Sequence, residues 1–447
     1  MINSNGIKLK QTIRNIVIYL LLASICITGC NGNNILDSFL PPEISTPDED
    51  QAQVPLTKET VIATPAPTES SFSSNNFTIW IPPQFDPNAD TESGNIMLAH
   101  IDSFQEIYPQ YAFDIRIKAE RGPSSLLNTL QATSSAAPGV LPSVVLISRS
   151  DLETAAAQGI ILPVESLSSA IDESDWFPFA KEMGIIQGET YGLPFAADAV
   201  GLVTKENVIG SKYLPLIEAR RRMGTTAFAA GDSNSVLPFI LYQSGGGHVE
   251  DQHGQPIIEF DQLSNMFESI EENRRFGVFS SDLVEYQSDK QVWTAFTENE
   301  FEGVLTWLSQ ALSEPDNYFI SPLPGIGNQP YTYANGWIWC MVDKKNNNQE
   351  LSISFIENMI DPLFLSEWIP KAGYLPVRPS SLTGFNTTLQ ATLNSILLSA
   401  DIMPNEITLS YAKSDIIKAA QDLLQGLSTT EESTQEIMDK LESEQTQ

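Results

Sequence analysis

An α/β fold with parallel strands is what this chain of 447 residues predicts, and three observations carry the prediction. Strand-like and helix-like segments alternate from Phe77 to Gly159 with short links, the pattern that folds into a parallel sheet with helices on its faces. The apolar period changes with them, near two in one kind of segment and near 3.6 in the other. Val144-Val145-Leu146-Ile147 shows no polar alternation at all, as befits a strand covered on both faces.

Each element has its own warrant. Phe77-Thr78-Ile79-Trp80-Ile81 is a strand closed by Pro82-Pro83. A helix is expected from about Gly94 to Ile107, with Ile96, Leu98, Ile101, Phe104 and Ile107 on one side and Pro109 as its stop. Tyr111 to Lys118 alternates Phe113, Ile115 and Ile117, a second strand, and Ser124 to Ser134 is a helix. Ser143 to Ile147 is the third strand, and Asp151 to Gln158 is a helix ended by Gly159. In such sheets ligands bind beyond the carboxyl ends of the strands, here Pro82–Phe85, Glu120–Gly122 and Ser148–Asp151. Far downstream, Thr408 to Leu427 reads as one amphipathic helix ended by Gly426. Ser428 to Glu432 then reads as a capping-box start for a last helix, Glu431 to Leu441.

Ahead of the fold lies a leader. Lys8, Lys10 and Arg14 precede an apolar run from Ile16 to about Ile27, shorter than the ~20 apolar residues a membrane span needs. Ile27-Thr28-Gly29-Cys30 follows, and the arrangement resembles the bacterial lipoprotein signal, with Ile27 at a position where Leu is usual. The resemblance implies that residues 1–29 are removed and that Cys30 is lipidated, leaving the chain extracytoplasmic and held to a membrane. An uncleaved anchor helix is the alternative. Residues 30–76, rich in Pro, Ser, Thr and acid, read as a disordered tether. As a coil it would average roughly 35–40 Å end to end.

Charge and cysteine usage narrow the classes. Acidic residues number 56 against 24 basic ones, a net charge of -32, and the leader removes three of the basic ones. Such a surface repels nucleic acid and anionic lipid. Of three cysteines, Cys26 leaves with the leader, Cys30 is the anchor, and Cys340 stands in an apolar run as a buried structural thiol. His248 and His253 are five apart in a glycine-rich turn, a spacing that fits no helical zinc pair. Ser410-Tyr411-Ala412-Lys413 has Ser-x-x-Lys spacing without its companion motifs. No phosphate loop or nucleophile elbow occurs, and no cofactor is expected.

Several segments share their order with a known family. Pro142-Ser143-Val144-Val145, Gly159-Ile160-Ile161-Leu162-Pro163-Val164 and Gly188-Glu189-Thr190-Tyr191-Gly192-Leu193-Pro194 come first. Phe301-Glu302-Gly303-Val304-Leu305-Thr306-Trp307, Ser321-Pro322-Leu323-Pro324-Gly325, Asn335-Gly336-Trp337 and Gly373-Tyr374-Leu375-Pro376-Val377-Arg378 follow. Together they resemble the family 1 extracellular solute-binding proteins of ABC importers, from Phe77 to about Leu441. The resemblance implies a periplasmic-binding-protein-like fold of two lobes, each a central sheet flanked by helices, joined by several crossover strands. The expected boundaries are 77–197 with 325–372 for the first lobe and 198–324 with 373–430 for the second, then 431–447 as C-terminal helix and tail. It also implies a small-molecule ligand, a sugar by the family's habit, and ABC permease subunits as partners. Segment 204–230 departs from the pattern. It lacks the family's aromatic strand and Pro-x-Thr-Trp piece and carries Arg220-Arg221-Arg222, read as a solvated helix face.

A sugar presents apolar ring faces to aromatic side chains and hydroxyl edges to carboxylates and amides. Seven tryptophans are available. Trp307 and Trp337 fall where the family places its cleft, Trp80 reads as core, and Trp339 shares the strand parity of Trp337. Trp307 could equally stack on ligand or fill the core. Asp198, alone among charges in Pro194-Phe195-Ala196-Ala197-Asp198-Ala199-Val200, must find donors or meet water in a cleft. Gln84, Arg149, Asp151, Gln243, Asn335 and Tyr374 complete the candidates by position, with Arg149 available for a sugar acid. Two rival readings stay open. One is an exported glycoside-acting enzyme using Asp198 with Asp151 as paired carboxylates. The other is a binding or scaffold protein that has lost transport.

Overall fold

Thirteen consecutive residues, Gly192–Thr204, are buried to the last one and run through the middle of the sheet. In the computed structural model, which describes residues 75–342 and 348–445, that strand is β4 of nine. The others are β1 (Asn75–Ile81), β2 (Tyr111–Ile117), β3 (Val144–Ser148), β5 (Thr226–Ala227), β6 (Gly303–Trp307), β7 (Phe319–Ser321), β8 (Thr332–Met341) and β9 (Ala400–Ile402). The leader, Cys30 and all but the last two residues of the 30–76 segment lie outside the described residues. Among the described residues, no helix is long and apolar enough to cross a membrane.

The strand order is β2-β1-β3-β8-β4-β6-β5, with β9 beside β8 and β7 beside β4. β1 pairs in parallel with both β2 and β3, as the alternation of strand and helix predicts. β8 runs antiparallel to β3 and to β4. β4 changes neighbours along its length. Its first half, to Ala199, lies against β8, and its second half, from Val200, lies against β6. This is the mixed α/β architecture, with helices packed on a central sheet.

The helices begin where side chains can cap them. Thr91 accepts from the Gly94 N–H, Ser125 from Asn128 and Ser148 from Asp151, so the three N-terminal helices run Glu92–Ile107, Leu126–Ala136 and Arg149–Ala157. The last helix, Thr430–Gln445, starts with a reciprocal box: Thr429 Oγ1 accepts from the Glu432 N–H, and Glu432 Oε2 accepts from the Thr429 N–H. The helix expected over Thr408–Leu427 is two helices, Glu406–Ser410 and Lys413–Gln425. Ala412 leaves helical geometry at φ −137° between them.

Helices 349–359 and 362–372 cover the first half of β4. Their Phe355 and Trp368 meet Trp339 and Phe195 at 5.5 and 4.6 Å between ring centroids. This cover distinguishes Trp339, fully buried, from Trp337, two residues earlier at the same parity and half-buried. Trp80 is core at 2% exposure, and Cys340 is fully buried, which pushes its thiol up. Arg220 is not solvated: its guanidinium is 2.6 Å from Glu272 and 4.0 Å from the Phe276 ring centroid, while Arg221 and Arg222 are exposed.

The β4–β8 contact leaves no room at Gly336. A Cβ there would stand 2.5 Å from the Ala196 carbonyl oxygen and 2.9 Å from Met183 Sδ. Gly336→Ala should therefore lower unfolding free energy by about 1–3 kcal/mol in urea titration, through overpacking against backbone that cannot yield. An unchanged midpoint would show that the strands separate easily.

Candidate functional site

Register alone gathers the central candidates. In antiparallel pairs, residues opposite each other point the same way, and alternate residues on one strand share a face. Asn335 lies opposite Asp198, Trp337 opposite Ala196, and Trp307 opposite Val200. Trp307, Asp198, Asn335 and Trp337 therefore share one face of the sheet, along the stretch where pairing of β4 with β8 ends and pairing with β6 begins. Pro194 has no N–H to donate, and the β4–β8 ladder shifts register there, with Phe195 as the extra residue.

A third segment crosses beside these strands. Leu375 exchanges both backbone hydrogen bonds with Ala197, at 2.8 and 2.9 Å. That holds Tyr374 beside the face. Downstream, Arg378, 4% exposed, fixes the segment by pairing with Glu173 at 2.9 Å and stacking on Trp176 at 4.0 Å.

Trp337 and Tyr374 build an aromatic corner. Their rings meet at 4.9 Å and 68°, and both rest on the buried Phe85, at 5.1 and 5.3 Å. Trp337 Nε1 and the Tyr374 hydroxyl make no hydrogen bond within the described protein, so each presents a polar tip from an apolar ring. Gln84, beyond β1, donates to Glu120 Oε1 at 3.0 Å, and Glu120 lies beyond β2. Asp151 lies beyond β3, in the first helical turn. The expectation that strand ends supply polar groups thus brings Gln84, Glu120 and Asp151 to one end of the sheet.

Asp198 is 7% exposed. Its Oδ1 accepts from the Ala199 N–H at 2.9 Å and from the Ser309 N–H at 3.0 Å, which stitches β4 to the turn after Trp307. Burial dominates its titration and lifts it from 3.8 to about 7, against the pull of the Ser309 and Ala199 bonds, and Asp289 adds repulsion. Asp289 itself is lifted by burial and by Asp232 to about 6, although Thr306 Oγ1 donates to it at 3.3 Å. Asp232, Asp289, Thr306 and Trp307 line a small cavity of about 30 Å³, water-sized, together with Asn234 and Ser235. Burial also raises Asp151, with Glu120 adding to it, and raises the Tyr374 phenol, with Asp198 and Glu120 adding to it.

The other candidates are placed differently. Arg149 is drawn elsewhere: Nε binds Glu153, and Nη1 donates to the carbonyls of Glu182, Met183 and Ile185, capping the C-terminal end of helix 178–183. Its charge is committed to structure. Asn335 Oδ1 accepts from its neighbour Gly336 N–H, and Gln243 accepts from the Tyr333 hydroxyl. Sequence reasoning did not single out Glu120, Asp232, Asp289, Ser309 or Phe85. Glu120 and Phe85 stand in strand ends that the sheet rule names. Asp289 looks in sequence like an ordinary first-turn acid behind the Ser288 cap.

Asp198 makes stability depend on pH. Its folded value of about 7 exceeds the ordinary 3.8, so between those values the native chain holds a proton that the unfolded chain releases. The contribution of this group is greatest below that window and falls as pH rises through it. Asp198→Asn keeps an acceptor toward Ala199 and Ser309, so urea midpoints of the variant should lose part of that decline. Identical pH profiles for both proteins would contradict the burial argument.

A profile of bacterial extracellular solute-binding proteins matches residues 99–392. Among solved structures, MalE from Xanthomonas citri aligns at TM-score 0.66 and 14% identity, over 83% of this chain and 97% of that one. Maltose-bound MalE3 from T. maritima aligns at 0.60 and 15%, over 83% and 99%. UgpB from Mycobacterium tuberculosis in complex with glycerophosphocholine aligns at 0.63 and 12%, over 83% and 98%. These likenesses establish a periplasmic-binding-protein-like fold. A search of curated proteins by sequence found no match.

Proposed function

The chain belongs to the bacterial extracellular solute-binding proteins, and from that membership we propose that it captures a carbohydrate for an ABC importer. The family is one of extracellular binding proteins, which supports an extracytoplasmic binding role. The two lobes of this reading are 77–197 with 325–372 and 198–324 with 373–430. Ligand binds between them, favours a hinge-closed form, and is delivered to the transmembrane permease.

The observation that supports it best is the shared face of Trp307, Asp198, Asn335 and Trp337. Two tryptophans separated by a carboxylate and an amide suit a ligand with apolar ring faces and hydroxyl edges. The aromatic corner at Tyr374 extends that surface, and Gln84 and Asp151 border it. In this reading Asp198 holds the crossing strands together and meets the ligand, and it is not half of a hydrolytic pair. The names of the solved relatives point the same way, since one is a cyclo/maltodextrin-binding protein in complex with maltotetraose.

We read Cys30 as the lipid attachment point, with the segment to residue 76 as the tether. Cys30→Ser should abolish incorporation of labelled palmitate and move the protein from the detergent phase to the aqueous phase. Continued membrane retention of that variant would argue for an uncleaved anchor.

Thermal shift against a panel of mono- and oligosaccharides tests the ligand class. A sugar at a hundred times its dissociation constant should stabilise the native state by about 2.7 kcal/mol. Trp337→Ala should weaken that sugar by about tenfold or more through the lost stacking surface. A panel without a single shift, or product release from glycosides, would overturn the reading.

A further inference from the structure

We propose that the ligand carries an organic ammonium group, most simply on an amino sugar, seated in the corner of Trp337 and Tyr374 and met by the carboxylates of Glu120, Asp151 and Asp198. The inference rests on reading this face as the ligand site and adds the ligand's charge to it.

Geometry gives the first argument. The rings meet edge to face, with planes 68° apart and 4.9 Å between centroids, so their open faces are set at an angle and not as one flat shelf. A flat sugar face stacks on one plane, whereas a compact cation can touch two aromatic faces at once. Both rings are partly exposed and braced from behind by Phe85, so the corner is already formed without ligand.

Charge gives the second. Several carboxylates lie near one another: Glu120 and Asp151 at the strand ends, Asp198 on the crossing strand, and Asp289 and Asp232 at the cavity beside Thr306 and Trp307. Glu120 acts on Asp151, Glu120 and Asp198 act on Tyr374, Asp289 acts on Asp198, and Asp232 acts on Asp289. The charged neighbours that move these four groups are all acidic. Arg149 turns its Nε to Glu153 and its Nη1 to three carbonyls. Lys118 lies over the Trp80 ring at 4.4 Å, and Arg121, exposed, does not enter the balance at Asp151 or Tyr374.

Closure sharpens the consequence. Excluding water lowers the local dielectric and strengthens repulsion among acids that face one another. A neutral ligand leaves that repulsion in place. An ammonium group converts it into attraction, so a cationic ligand and the closed form stabilise each other.

Isothermal titration of the purified protein with the glucosamine disaccharide, its N,N′-diacetylated form, maltose and choline tests this. The free amine is expected to bind about tenfold tighter than its acetylated form. That preference should shrink on going from about 50 to about 500 mM salt and should fall in Glu120→Gln. Choline binding at the same site, displaced by the amine, would also support an ammonium subsite. Equal or tighter binding of the acetylated sugar or maltose would overturn the charge inference and leave the carbohydrate reading standing. Binding of none of the four, with no hit in the wider sugar panel, would overturn both.

Discussion

The structure depends on one strand keeping its neighbours on both sides while those neighbours change. β4 is thirteen residues long and wholly buried, with its first half paired to β8 on one edge and its second half, from Val200, paired to β6 on the other. The antiparallel pairing of β4 with β8, and of Leu375 with Ala197, carries three lengths of chain across the same place. Few backbone groups there are free to bond elsewhere, so side chains on the shared face hold fixed relative positions. A binding floor needs that rigidity, and bending can then be confined to the ends of the crossing segments.

Asp198 shows the tension built into such a floor. Its carboxylate is buried where ionisation is unfavourable, yet it accepts two backbone N–H bonds that an apolar residue could not satisfy. A leucine of similar size would leave the Ala199 and Ser309 donors orphaned. The group is thus both a joint between β4 and the turn after β6 and a source of negative potential beside Tyr374.

Much of this was legible in the chain. Phe77 to Gly159 could be read because strand and helix periods are local, and their order alone implied parallel pairing. Asp198 stood out because a lone charge in an apolar run has few physical explanations. Trp337 and Trp339 could not be told apart by parity, since what separates them is cover from helices 349–359 and 362–372. Arg149 had the right address at a strand end, but its partners are carbonyls more than thirty residues downstream, and no local rule announces them. Glu120, Asp232 and Asp289 come near the candidate residues only through tertiary proximity. Arg220 was read as solvated for a similar reason: Glu272 and Phe276, which neutralise and cover it, lie in and just past another helix, Phe260–Arg275.

The central claim is that the face of the crossing strands is the ligand floor. Hydrogen–deuterium exchange with and without a ligand that raises the melting point tests it most directly. Slowed exchange in peptides covering residues 194–200, 305–309, 333–337 and 373–376 is the predicted result. Protection confined to another surface, with those four segments unchanged, would contradict the account.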